Sequence, residues 1–274
     1  LKQRNFRTAF NRSKKFFKEG IFPYNLLSSL DYYGSVKIHE YPVLHLPNGF
    51  KIRVPKSYLS SLLCSINDVY VNREYELLDG YRPPIGGIVF DVGAYIGVCT
   101  LKYASFLRRK GMVYAIEPSP QSYNILSNNI KINNLQNVTP VNAALMSFNG
   151  VSHLYSCNGF ASVNSISERH IEAGGGHASS QFTVNSITLD ALINKFNVPR
   201  IDLLKIDVEG AELNVLNGAL TALDRGIVDR LVIEVHQSIV NLSDVCIFLE
   251  DKSYSVKGLF VLPDRKTMLY AKLK

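Results

Sequence analysis

From Ile88 onward, short apolar runs alternate with longer stretches of helical periodicity. Ile88-Val89-Phe90, Met112-Val113-Tyr114-Ala115-Ile116, Ile201-Asp202-Leu203-Leu204-Lys205-Ile206 and Leu231-Val232-Ile233-Glu234-Val235 have strand length. Residues 97–109, 119–133, 211–223 and 243–252 read as helices between or after them, and residues 138–145 as a further strand. Runs apolar on both faces and separated by helices predict a mostly parallel, doubly wound α/β sheet. Two last runs, residues 254–261 and 267–271, lie only a few residues apart. A parallel crossover needs about a dozen residues, so these two predict a C-terminal antiparallel hairpin.

Before residue 85 the texture differs. Residues 43–46 and 50–54 alternate apolar and polar positions around Asn48-Gly49, which predicts a small hairpin. Residues 57–63 and 67–78 read as helical, and Tyr81-Arg82-Pro83-Pro84-Ile85-Gly86-Gly87 reads as a linker. The expected division is a small N-terminal helical and hairpin element, residues 1–84, followed by the main α/β domain, residues 85–274. Residues 147–184 are rich in Ser, Gly and Asn, including Ala173-Gly174-Gly175-Gly176. They predict a loop without a core, either mobile beside a substrate or a surface linker.

Composition is that of an ordinary globular protein, 46% hydrophobic and 19% charged in 274 residues. No run reaches the roughly 18 to 20 apolar residues of a membrane span. Cys64, Cys99, Cys157 and Cys246 form no CxxC pair, which excludes a zinc ribbon and makes a reducing cytosol the expected compartment. The net charge of +7 is concentrated at the start, where Lys and Arg residues interleave with Phe6, Phe10, Phe16 and Phe17. That segment lacks the apolar core of a signal peptide. It predicts a basic amphipathic helix, packed on the domain or resting on a membrane surface or polyanion.

The first apolar run continues into Asp91-Val92-Gly93-Ala94-Tyr95-Ile96-Gly97 and then a helix. Glycines let a backbone turn tightly and approach a ligand closely, and ligands of open α/β sheets sit beyond the strand tips. The loop lacks the first glycine of the dinucleotide fingerprint GxGxxG, which argues against a nicotinamide dehydrogenase. Its acid, Asp91, suits a sulfonium or ammonium better than a pyrophosphate. The second strand ends in Ile116-Glu117-Pro118, an acid placed to accept both hydroxyls of a ribose. Asn142 and Ala143 are expected at the tip of the third strand, beside the base.

Lys205-Ile206-Asp207-Val208-Glu209-Gly210-Ala211-Glu212 follows the fourth strand, and Glu234-Val235-His236 ends the fifth. So many charges at buried strand tips are costly unless they meet a ligand, a metal or one another. Period-2 alternation puts Glu234 and His236 on one side of their strand. Asp207, Glu209, Glu234 and His236 are therefore expected to converge.

DVGAYIG, AIEPSP, IDLLKIDVEGAE and VIEVHQ, in this order, resemble the FkbM-type methyltransferases over roughly residues 70 to 240. The resemblance implies a Rossmann-like methyltransferase fold and S-adenosylmethionine as cofactor, held by Asp91, Gly93, Tyr95, Gly97, Glu117, Pro118, Asn142, Ala143 and Asp207. It adds Glu76, from Asn72-Arg73-Glu74-Tyr75-Glu76, where the family often carries acids near the methionine end. Tyr95 departs from the family, in which Asn is common, and is expected to alter loop packing. The implied reaction is O-methylation of a sugar, glycan or related small molecule. His236 is the candidate base, Asp207 its orienting partner or the group that places the acceptor, and Lys205 a partner of Asp207 or Glu209. A Mg²⁺ ion held by Asp207 and Glu234 is a second way to activate a hydroxyl. Two other readings stay open: a nucleic-acid methyltransferase docked through the basic N-terminus, and a non-catalytic cofactor-binding scaffold. The first lacks the usual Asn- or Asp-Pro-Pro-Tyr motif after the fourth strand.

Overall fold

The computed structural model describes residues 39–157, 160–165, 178–262 and 266–274, with side chains of residues 156–180 left aside. The basic amphipathic segment and the glycine run 174–176 lie outside the described residues. Among those described, no helix is long and apolar enough to cross a membrane.

The central sheet has seven strands: β3 (Ile88–Val92), β4 (Met112–Ile116), β5 (Val138–Val141), β10 (Leu203–Ile206), β11 (Arg230–His236), β12 (Tyr254–Val261) and β13 (Lys266–Leu273). Their order is β12-β13-β11-β10-β3-β4-β5. Pairing is parallel from β5 to β11, and β13 pairs antiparallel with both β11 and β12. The doubly wound sheet and its terminal hairpin are thus as expected.

Alternation along each strand feeds two cores. Val89, Val113, Leu203, Val232 and Tyr270 face α2 (Val98–Phe106) and α3 (Pro120–Ile132). Phe90, Tyr114, Leu204, Ile233 and Leu269 face the opposite layer, including α4 (Leu189–Phe196) and α7 (Leu242–Asp251). Ser119 caps α3 by accepting from the Ser122 N–H, with Pro120 at the first helical position.

The hairpin β1 (Val43–His45) and β2 (Lys51–Arg53) forms around Gly49, whose φ is +85°. It does not build a core of its own. Leu44 and Ile52 join the first of the two cores, together with Leu62 and Ile66 of α1 (Leu59–Ile66). Asn129 of α3 and Asn133, just after its end, bond the backbone of Arg53 and Lys51. α1 runs on through a wider turn to Asn72 and ends at Arg73, whose φ of +56° reverses the chain.

Four expectations need correction. The expected helix 67–78 stops at Asn72, because the left-handed Arg73 reverses the chain before the short turn Glu74–Glu76. The expected strand 138–145 is two strands, because the chain leaves the central sheet after Val141 and β6 (Ala144–Leu145) joins another sheet. The expected helix 211–223 is broken into α5 (Glu212–Asn217) and α6 (Leu220–Asp224). Gly218 lies between them, where a Cβ would sit 2.0 Å from the Met146 carbonyl oxygen. The described residues of the region 147–184 are not a coreless loop. β7 (Gly150–Cys157), β8 (Phe160–Ser165) and β9 (Ala178–Ile187) form a sheet of order β6-β9-β7-β8. Leu154 and Val184 pack with Ala144 and Met146 on its covered face. The pattern is hard to read because buried Ser152 and Ser186 also occupy inward positions, where their hydroxyls bond each other at 2.5 Å.

Candidate active site

The strand order reverses between β3 and β10, so a crevice opens beyond their carboxyl tips. It forms a cavity of about 870 Å³. Gly93, Ala94, Tyr95, Glu117, Pro118 and Ala143 line one part. Lys205, Asp207, Glu209, Glu234 and His236 line another. Asp68, Glu74 and Tyr75 of the N-terminal element face it too.

The glycine loop is held against the β10 tip. At Gly93, φ is +75° and a Cβ would lie 1.7 Å from the Asp207 carbonyl oxygen. Lys205 Nζ donates to the carbonyls of Gly93 at 2.8 Å and Val92 at 3.2 Å. Asp91 differs from its expected role. It is fully buried and absent from the lining, accepting from the Thr100 hydroxyl at 2.6 Å and pairing with Lys205 at 3.1 Å. Its charge therefore faces Lys205 beneath the loop. Burial pulls the Lys205 pKa down, but Asp91 and Asp207 more than reverse this and hold it above the usual range.

Tyr95 lines the cavity at a φ of +51°, a conformation that Asn tolerates better than an aromatic residue. Its hydroxyl lies 2.8 Å from Ser61 Oγ and its ring stacks on Tyr58. The departure from the family residue ties the glycine loop to the N-terminal element.

Glu117 is almost wholly buried, with one edge in the lining. Its Oε2 accepts from the Tyr95 N–H at 2.8 Å and its Oε1 from the Ser119 N–H at 2.9 Å. Both bonds fix the carboxylate and leave each oxygen a lone pair for a ribose hydroxyl. Burial pushes its pKa up to about 7, against those two hydrogen bonds.

Four expected cofactor residues act from outside the lining. Besides Asp91, Gly97 starts α2 with φ +97° and packs on Leu126. Asn142 donates to the carbonyls of Glu117 and Pro118, bracing that tip. Glu76 pairs with Lys102 and with Arg73. The left-handed turn at Arg73 presents Glu74 and Tyr75 to the cavity instead, and sequence carries no sign of that reversal. Burial pushes the Glu74 pKa up to about 7, with Asp68 adding to it.

The β10 and β11 tips converge as expected. His236 is buried, with Nδ1 2.6 Å from Glu212 Oε1 and Nε2 3.2 Å from Glu209 Oε2. Burial lowers the imidazole pKa, but hydrogen bonds to Glu209 and Glu212 outweigh it and hold the ring well above its ordinary value. The expected base therefore has a carboxylate at each nitrogen. Glu234 is committed as well: Lys266 Nζ lies 2.6 Å from Oε1 and the Tyr75 hydroxyl 3.0 Å from Oε2. Tyr75 also donates to Asp207 at 2.8 Å, so one phenol serves two carboxylates. The pair expected for a cation, Asp207 and Glu234, is thus bridged by a phenol. The ligand atoms that gather within 4.8 Å of one another belong to Asp207, Glu209 and His236.

The residues fit S-adenosylmethionine. Gly93 lets the loop lie directly against the β10 tip, Glu117 offers two acceptors, and Asp68 and Asp207 place carboxylates along the wall. Pro118, Ala143, Leu145 and Leu154 give an apolar face for a base.

Comparison with known proteins adds independent findings. Residues 91–256 match the methyltransferase FkbM domain. The chain is 30% identical over 173 residues to the hexuronic acid methyltransferase AglP of Haloferax volcanii, covering 62% of this chain and 64% of that protein, just under two thirds of its length. It is 25% identical over 205 residues to methyltransferase 1 of Beauveria bassiana, covering 69% and 79% respectively. Among solved structures, an S-adenosylmethionine-dependent methyltransferase from Aquifex aeolicus superposes with a TM-score of 0.47 at 16% identity, covering 76% of this chain and 93% of that one.

Proposed function

The chain belongs to the FkbM family of S-adenosylmethionine-dependent methyltransferases, and from that premise we propose that it methylates a hydroxyl oxygen of a sugar or glycan. The observation that carries this reading is the meeting of Glu117 and the Gly93 loop with Asp207, Glu209 and His236 in one cavity. S-adenosylmethionine supplies an electrophilic methyl group on a sulfonium. Glu117 would take the ribose hydroxyls, and the Gly93 loop, which lines the same cavity, would lie alongside the cofactor. Asp207 orients the acceptor hydroxyl, held in place by Tyr75 and Lys205. Glu209, aligned by His236, accepts the hydroxyl proton. His236 is the aligning group because Glu212 and Glu209 occupy its two nitrogens. An acidic sugar is the first acceptor to test, since the Haloferax relative is named for a hexuronic acid.

Incubation with labelled S-adenosylmethionine and hexuronic-acid glycans should give an O-methylated sugar. Glu209→Gln should lower kcat by roughly 100-fold while S-adenosylhomocysteine affinity stays unchanged. No transfer to any hydroxylated sugar, with cofactor binding intact, would sink the reading.

Glu117 makes a separate prediction. Its ionised form is the better acceptor, and a pKa near 7 means that only a minority is ionised at acid pH. S-adenosylhomocysteine affinity should therefore rise roughly tenfold from about pH 6 to about pH 8. Glu117→Gln should remove that part of the slope and weaken binding by about 2–4 kcal/mol, for two lost bonds to a charged acceptor. Calorimetry at three pH values measures both, and an unchanged slope in the variant would refute the assignment.

A further inference from the structure

We propose that Asp207, Glu209 and His236 form a binding site for one hard divalent cation, Mg²⁺ or Mn²⁺, at the acceptor end of the cavity. Three features carry the inference. First, the ligand atoms come from two different strand tips and lie within 4.8 Å of one another. Oxygens bound to one Mg²⁺ at about 2.1 Å are roughly 3 to 4.2 Å apart, so small side-chain rotations suffice. Second, the imidazole has the support that metal-binding histidines need. Glu212 is completely buried, and its Oε1 lies 2.6 Å from His236 Nδ1 while also accepting the Gly210 N–H at 3.0 Å. A carboxylate fixed behind Nδ1 keeps one proton there, so a cation would displace only the Nε2 proton that faces Glu209. Third, the chemistry of the set is selective. Two carboxylates and one imidazole, without a thiolate, suit a hard cation, and the open cavity leaves room for further oxygen ligands.

The inference rests on the proposed O-methyl transfer and deepens it: a cation would take Glu209 Oε2 and His236 Nε2 in place of their mutual bond, fix the acceptor hydroxyl and favour its loss of a proton to the second Glu209 oxygen. Glu234 keeps a different task. Tyr75 and Lys266 occupy its oxygens, so it holds the β11 tip beside the cluster.

The test uses the full chain, stripped of metal and titrated with Mn²⁺, read by electron paramagnetic resonance and by calorimetry. One ion per chain is expected, displaced by Mg²⁺. Glu209→Gln and Asp207→Asn should each weaken Mn²⁺ at least tenfold, whereas Glu117→Gln should leave it unchanged. Circular dichroism and thermal unfolding of the same samples show that each variant is folded. Absence of Mn²⁺ binding at millimolar concentration, or equal binding by wild type and Glu209→Gln, overturns the site. Mn²⁺ binding without methyl transfer would instead overturn the proposed reaction and leave the cation site standing.

Discussion

Replacing Lys205 by Met should destabilise the fold by about 3–5 kcal/mol, the usual cost of leaving a buried charge without its partner. The ammonium is 2% exposed and stands 3.1 Å from Asp91, which is 0% exposed. It also lies 3.5 Å from Asp207 and donates to the Gly93 and Val92 carbonyls. Met keeps most of the volume and removes every one of those bonds. Asp91 then retains only the Thr100 hydroxyl, at 2.6 Å. Thermal unfolding should show a midpoint lowered by about 5–9 °C, the range such a loss implies for a chain of this size. Adding Asp91→Asn should recover more than half of the loss, because the double variant buries no net charge. A single variant within 1 °C of wild type would show that this pair does not brace the loop.

Gly93→Ala should abolish cofactor binding, with S-adenosylhomocysteine affinity reduced by roughly 1,000-fold or more. Two independent costs add here. The φ of +75° is unfavourable for any L residue, by about 1–2 kcal/mol. The added methyl would also sit 1.7 Å from a backbone oxygen, that of Asp207, which cannot swing aside as a side chain can. The β3 loop must then part from the β10 tip, carrying Glu117's donor Tyr95 with it. Calorimetry measures the loss, and near-native affinity would mean that the two tips can separate without harm. Gly97→Ala is the informative comparison. Its Cβ would meet the Leu126 side chain at 2.8 Å, outside the lining, so it should reduce stability more than affinity.

Much of the site was legible from sequence because it sits at strand ends. Apolar runs broken by Gly, Glu-Pro and Asp-Val-Glu-Gly locate the tips of β3, β4 and β10, and a parallel sheet must bring those tips to one rim. The convergence of Asp207, Glu209 and His236 followed from topology alone. Direction within a tip did not. Asp91 and Glu117 look equivalent in sequence, each an acid at the end of an apolar run. One turns inward to Lys205 and the other keeps an edge in the cavity. Glu76 was singled out where Glu74 and Tyr75 face the cavity, since the left-handed Arg73 decides which side of the turn is presented. Glu212 read as one more charge in a charged run, and only the fold places it behind His236. The sheet of β7, β8 and β9 was missed because inward serines satisfy each other and mask the alternation.

The sequence by itself determined the family, the doubly wound sheet, the terminal hairpin and the set of charged tips that meet. Those follow from hydrophobic period, from chain-length limits on crossovers and from short motifs, all of them local properties. Tertiary structure decided which acid is a counter-ion, which one keeps an edge in the cavity and which carboxylate holds the histidine. Those depend on distances of about 3 Å between residues far apart in the chain, where burial makes each unpaired charge costly and so fixes its partner. Asp91 is the plainest case: local pattern placed it beside a ligand, and the burial of Lys205 made it that lysine's partner instead.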